Sequence, residues 1–98
     1  MGRFVINFRF EHDEGYALRH ESFIKKVNAI ATFKVKETPS SYAIEALGTA
    51  ESIRDILYFE TEFMDYKDQM IVTDLKNRAK ATKGEIKHPA TSERFLGF

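Results

Sequence analysis

The stretch Phe4-Val5-Ile6-Asn7-Phe8-Arg9-Phe10 decides how this chain folds. Phe4, Ile6, Phe8 and Phe10 fall on alternate positions, with Val5, Asn7 and Arg9 between them. That two-residue period belongs to a half-buried β-strand with one aromatic face and one mixed face. Three Phe rings and an Ile on one side are too much apolar surface to leave in water, so this face is the expected core.

On the carboxyl side, Glu11-His12-Asp13-Glu14-Gly15 is a polar break. Asp13 can accept hydrogen bonds from the first N–H groups of a helix, and Glu14 suits the positive end of its dipole. From Tyr16 to Ile30, His20, Phe23, Ile24, Val27 and Ile30 recur at helical spacing, with Lys25 and Lys26 facing outward. Thr32 to Glu37 alternates again, Thr38-Pro39-Ser40-Ser41 supplies a turn, and Tyr42 to Leu47 completes a hairpin ahead of Gly48. Thr49 is placed to cap a second helix, with Glu51 in its first turn and Ile53, Ile56, Leu57 and Phe63 or Met64 along its buried side. Asp65-Tyr66-Lys67-Asp68 breaks that helix, and residues 69–75 read as a fourth strand. Beyond them, residues 76–83 fit a short helix or a loop, and Glu85-Ile86-Lys87-His88 fits a short fifth strand.

Strand, helix, strand, strand, helix, strand is the order of two split βαβ units joined by a hairpin. The expected class is α+β, a ferredoxin-like βαββαβ sandwich with a four-stranded antiparallel sheet and two helices on one face. Residues 1–75 form the expected core. Residues 76–98 form a tail docked on the sheet or on a dimer partner. That tail carries six Lys or Arg against two Glu, a net +4, which leaves −4 to the rest of a chain whose formal charge is zero. Global attraction to nucleic acid is therefore not indicated, while a basic tail on an acidic body suits an acidic surface. The 98 residues contain no Cys, which excludes disulfides, thiolate nucleophiles and cysteine metal sites. With no apolar run near the roughly 20 residues of a membrane span and no signal-like amino terminus, the expected location is cytoplasmic, with no membrane partner.

The string Thr49-Ala-Glu-Ser-Ile-Arg-Asp-Ile-Leu57, then Phe63-Met64-Asp65 and Asp68-Gln-Met-Ile-Val-Thr-Asp-Leu75, resembles the second half of the SinR-like group. That group belongs to the superfamily of the VapD toxins, the antitoxin GhoS and the smaller CRISPR adaptation subunit. The first strand is similar to the group's opening strand. The resemblance implies a homodimeric ferredoxin-like domain in a defence, toxin–antitoxin or phage setting, whose active members cut RNA or DNA. They use an acid at the end of the first strand to hold magnesium or manganese, because a hard cation needs carboxylate oxygen. At that position this chain has Arg9, and a guanidinium does not ligate magnesium.

Arg9 then has two readings. With Asn7 it forms a site that binds phosphate without cutting it, or it pairs with Glu11, Glu45 or an acid of a partner subunit. Lys76, Arg78, Lys80 and Lys83 are further phosphate contacts, or simply a solvated tail. Asp13 is the substitute acid for a metal-dependent endoribonuclease, and Glu11 with Asp13 the substitute metal ligands, although helix capping accounts for both acids. His20 lies on the helix's apolar stripe, a position expected of a structural core-edge histidine, and His88 sits beside Pro89 in the tail with no acid partner nearby in sequence, so neither is expected to do acid–base work. No nucleophile-elbow serine and no glycine-rich phosphate loop is present. Val5, Asn7 and Arg9 on the open face do not make the aromatic platform of an RNA-recognition motif. Phe95, Leu96 and Phe98 are too apolar for a free end and mark an expected protein interface. The expectation is a non-catalytic homodimeric binding protein without a cofactor. Its alternatives are the endoribonuclease and a purely protein-binding adaptor.

Overall fold

The computed structural model describes residues 2–77 and 79–84. Seven elements run in the order β1 (Gly2–Arg9), α1 (Tyr16–Ile30), β2 (Phe33–Thr38), β3 (Ser41–Ala46), α2 (Ala50–Phe59), β4 (Gln69–Asp74) and β5 (Ala79–Lys83). The strands form one antiparallel sheet ordered β2-β3-β1-β4-β5, an α+β architecture with β1 at its centre.

The alternation in β1 sets the layers. Phe4, Ile6, Phe8 and Phe10 are all buried, in one core with Phe23 and Val27 of α1 and with Ala50, Ile53 and Leu57 of α2. Register carries the same face across the sheet: Ile6 stands opposite Tyr42 and Val72, and Phe8 opposite Met70. Full burial of one such side chain is worth about 1.5–3 kcal/mol, so the aromatic face of β1 dominates the choice of layer. Phe8 and Phe10 close on Phe23 with ring centroids 5.0 and 5.2 Å apart, and Phe63 meets Phe10 edge-on at 5.7 Å. Such tilted and edge contacts add to area burial.

Thr49 caps α2 as expected. Its hydroxyl accepts from Ser52 N at 3.0 Å while Ser52 Oγ accepts from Thr49 N at 2.8 Å, a reciprocal capping box. The helix ends at Phe59, earlier than the apolar spacing suggests, and Phe63 reaches the core from the following loop. Asp13 does not cap α1, whose first residue follows Gly15 without a side-chain cap; its carboxylate accepts from Gly15 N at 3.0 Å instead.

Two further expectations are corrected. In place of the short helix or loop expected over residues 76–83, the described residues form a turn at 75–77 and then β5, which pairs with β4 from Met70 opposite Lys83 to Asp74 opposite Ala79. Helix propensity in Ala79-Lys-Ala-Thr-Lys83 yields to ladder bonds offered by an adjacent edge. The sheet thus continues past residue 75. The strand expected at Glu85–His88 lies outside the described residues, as do Arg78, Phe95, Leu96 and Phe98. In β2, Phe33 and Val35 do not enter the core. Phe33 is 60 % exposed, because it stands opposite Glu45 on the face away from the helices. The helix side of β2 carries Lys34, whose ammonium bonds Asn28 and lies 4.9 Å from the Tyr42 ring centre. Lysines on an outer strand discourage pairing with a second sheet. Among the described residues, no helix is long and apolar enough to cross a membrane.

Candidate functional site

Where β1 ends, the chain leaves the sheet at Arg9, passes under the start of α1, and meets two other turns. One is the β2–β3 turn at Pro39 and Ser40, held by Phe8 N donating to Ser40 O at 3.0 Å. The other is the 65–68 turn before β4, closed by Lys67 and Asp68 N–H groups donating to Met64 O at 3.1 and 2.7 Å. Between them lies a cleft of about 840 Å³, with Phe8 and Phe10 in its lining and Arg9 and Tyr66 among its walls.

One buried ion network fixes this geometry. Arg19 is only 3 % exposed and Asp68 1 %. Arg19 Nε donates to Asp68 Oδ2 at 2.9 Å, Nη1 to Asp13 Oδ1 at 2.8 Å and Nη2 to Glu11 O at 2.9 Å. Asp68 also accepts from Glu11 N and Met64 N, each at 3.1 Å. Every donor and acceptor of the pair that faces the interior is met, which a buried charge requires. The Asp68 carboxylate, then the Asp13 carboxylate, raise the pKa of Arg19 against the opposing effect of burial. Lys67 closes the outside of the network, with Nζ 2.6 Å from Asp13 Oδ2. The Lys67 ammonium, and after it the Arg19 guanidinium, hold the Asp13 carboxyl well below the usual carboxylate range, and Asp13 in turn raises the pKa of Lys67.

A ladder of rings forms one wall. His12 and Tyr16 have centroids 4.3 Å apart, Tyr16 and His20 5.4 Å, and His20 lies 5.9 Å from Phe8. Tyr66, also in the lining, is 76 % exposed, its hydroxyl 3.3 Å from Met64 Sδ. His20 is therefore a core-edge ring, as its place on the apolar stripe implies.

The sequence-derived site residues do not converge. Arg9 stands at the cleft, exposed, opposite Gln69 at the start of β4. Neither acid of this chain expected to pair with it does so: Glu45 pairs with Arg3 at 3.4 Å, and Glu11 makes no ion pair among the described residues. Asn7 is half-buried on the open face of β1, next to Ile71 and Ser41. Lys76 sits in the turn past the far end of β4, a strand length of roughly 20 Å from Arg9. Lys80 lies on the open face opposite Thr73, and Lys83 on the helix side, with its ammonium 4.4 Å from the Tyr58 ring centre. Asp13 has both oxygens engaged by Arg19 and Lys67, which leaves a weak base and a poor cation ligand. Among the described residues, no group of three His, Asp or Glu side chains is arranged to hold a metal ion.

Sequence reasoning missed Arg19 and Asp68. The signal for Arg19 was present: it lies four and eight residues before Phe23 and Val27, on the same buried stripe. Asp74 was missed too. Burial pushes its carboxyl up, but hydrogen bonds from the Asn77 side chain and from the backbone of Asn77 and Lys76 outweigh that and lower its pKa. It thereby shapes the β4–β5 turn. Compared with known proteins, the chain matches no family model, no curated protein and no solved structure.

Proposed function

We propose that this chain is a non-catalytic binding protein of the SinR-like type, a homodimeric ferredoxin-like module that holds nucleic acid at the end of its first strand. The strand order β2-β3-β1-β4 supports the ferredoxin-like reading, with β5 as an addition at one edge. The observation that carries the function is Arg9: an exposed guanidinium without an ion-pair partner among the described residues, at a cleft walled by rings. Arginine offers a phosphate two parallel donors, and rings offer a base a stacking face.

Binding without cutting is favoured by the state of Asp13. Its carboxylate is committed to Arg19 and Lys67, so the endoribonuclease alternative would have to rely on Glu11 alone. The scatter of Lys76, Lys80 and Lys83 implies few phosphate contacts. For a single strand held by one phosphate, log K falls against log salt with a slope of about −0.7, far shallower than a basic groove gives.

The test is retention of labelled single-stranded RNA and DNA across a salt series, with and without magnesium or manganese. Retention without cutting, weakened by Arg9→Ala, is the expected result. Metal-dependent cutting that Asp13→Ala abolishes would establish the endoribonuclease instead. Retention of neither nucleic acid would favour the adaptor, for which exposed Phe33 and Val35 on the open face are the contact surface.

A further inference from the structure

The cleft poses a problem of charge that Arg9 does not solve. Asp68 and Lys67 in its walls are neutralised in place by Arg19 and Asp13. Glu11 and Asp65 also line it, both exposed and both without an ion-pair partner among the described residues. Two bare carboxylates beside a phosphate site repel the strand that Arg9 attracts. A nucleic acid seated here must therefore bring hydrogen-bond donors to those oxygens.

The bases differ in what they can bring. The Watson–Crick edge of guanine presents N1–H and N2–H side by side, matched to the two oxygens of one carboxylate. Adenine and cytosine offer an exocyclic amino group. Uracil and thymine offer one N3–H between two carbonyl oxygens, which a carboxylate repels. In a duplex these edge donors are consumed by pairing, so the base must be unpaired. The cleft's volume lies within the roughly 300–1,000 Å³ of sites that enclose a small ligand, enough for a base splayed from its strand. The exposed ring of Tyr66 supplies a face for it.

We propose that the cleft captures an unpaired, amino-bearing nucleobase, guanine foremost, with its face on Tyr66, its edge on Glu11 and Asp65, and the adjoining phosphate on Arg9. The inference rests on the nucleic-acid reading above and adds to it a base preference and a demand for single strands.

Fluorescence anisotropy with the full chain tests it, using short labelled uracil tracts with and without a single guanine, and the guanine-bearing strand annealed to its complement. The guanine strand should bind roughly tenfold or more tighter than the plain tract, the spread of a good two-pronged edge contact, and annealing should abolish the gain. The double variant Glu11→Gln, Asp65→Asn should bring guanine-bearing and plain uracil tracts to the same affinity. Tyr66→Ala should weaken every unpaired strand by roughly fivefold or more, with Tyr66→Phe close to the parent. Tight but base-indifferent binding, or a guanine preference that survives the double variant, overturns the inference and leaves the nucleic-acid reading standing. Failure of every strand to bind overturns both.

Discussion

Replacing Asp68 with alanine removes the acceptor around which the cleft is built. The native carboxylate accepts from Arg19 Nε and Nη2 at 2.9 and 3.2 Å and from the backbone N–H groups of Glu11 and Met64. Alanine leaves a buried guanidinium with Asp13 and Glu11 O as its remaining partners, and two N–H groups without an acceptor. Breaking a buried pair from one side costs about 3–5 kcal/mol. The surviving Asp13 contact puts Asp68→Ala near the lower figure, about 3 kcal/mol, out of roughly 5–15 kcal/mol for a domain of this kind. At an m-value of about 2 kcal/mol/M the urea midpoint falls by roughly 1.5 M. Far-UV circular dichroism in urea at neutral pH reads this directly. The apolar double variant Arg19→Met, Asp68→Leu should recover part of the loss, since it no longer buries a lone charge, but not all, since Glu11 and Met64 N–H still lack an acceptor. A loss below about 1 kcal/mol for Asp68→Ala would refute the argument that this pair holds the two loops together.

Two more outcomes follow from the same region. Gly84 has φ +88°, and a Cβ there would lie 1.9 Å from Asp68 O, so Gly84→Ala should lower stability by well over 1 kcal/mol, seen as a fall in Tm. Asp13 has a depressed folded pKa, so its contribution is present above the unfolded carboxylate value near 4 and is lost as pH falls below it toward the folded value. Urea midpoints measured from neutral pH down to pH 3 should therefore fall on the acid side, and fall less steeply in Asp13→Asn.

Pattern made the centre of the fold legible and chemistry made its margins obscure. The Phe4–Phe10 alternation identified the core face of β1, and the spacing of Phe23 and Val27 identified the buried side of α1, because apolar area at one period has one favourable burial. In β2 the same kind of alternation has two solutions, and an outer strand that is exposed along its whole length does not choose between them by burial. β5 was illegible because its residues favour a helix and only the β4 edge makes them a strand. Arg19 was overlooked because of its type: a charge on an apolar stripe signals a buried partner, and that partner, Asp68, is 49 residues away, where no local pattern reaches. Arg9 was legible as a guanidinium at a strand end but not as an unpaired one, since Glu11 and Glu45 were equally open partners in sequence, and the rings and carboxylates around it come together only through turns distant in sequence.

The Arg19–Asp68 tie also sets an order of events. The ladder of His12, Tyr16 and His20 lies within nine residues and can form as soon as α1 does. The opposite wall waits for β4 to dock beside β1, since Glu11 N reaches its acceptor on Asp68 across 57 residues of chain. A nascent or truncated chain ending before β4 thus has half a cleft and an arginine held by Asp13 and Glu11 O without the buried Asp68 carboxylate. If the cleft binds as proposed, capture requires the finished sheet, and a bound strand would report that folding is complete.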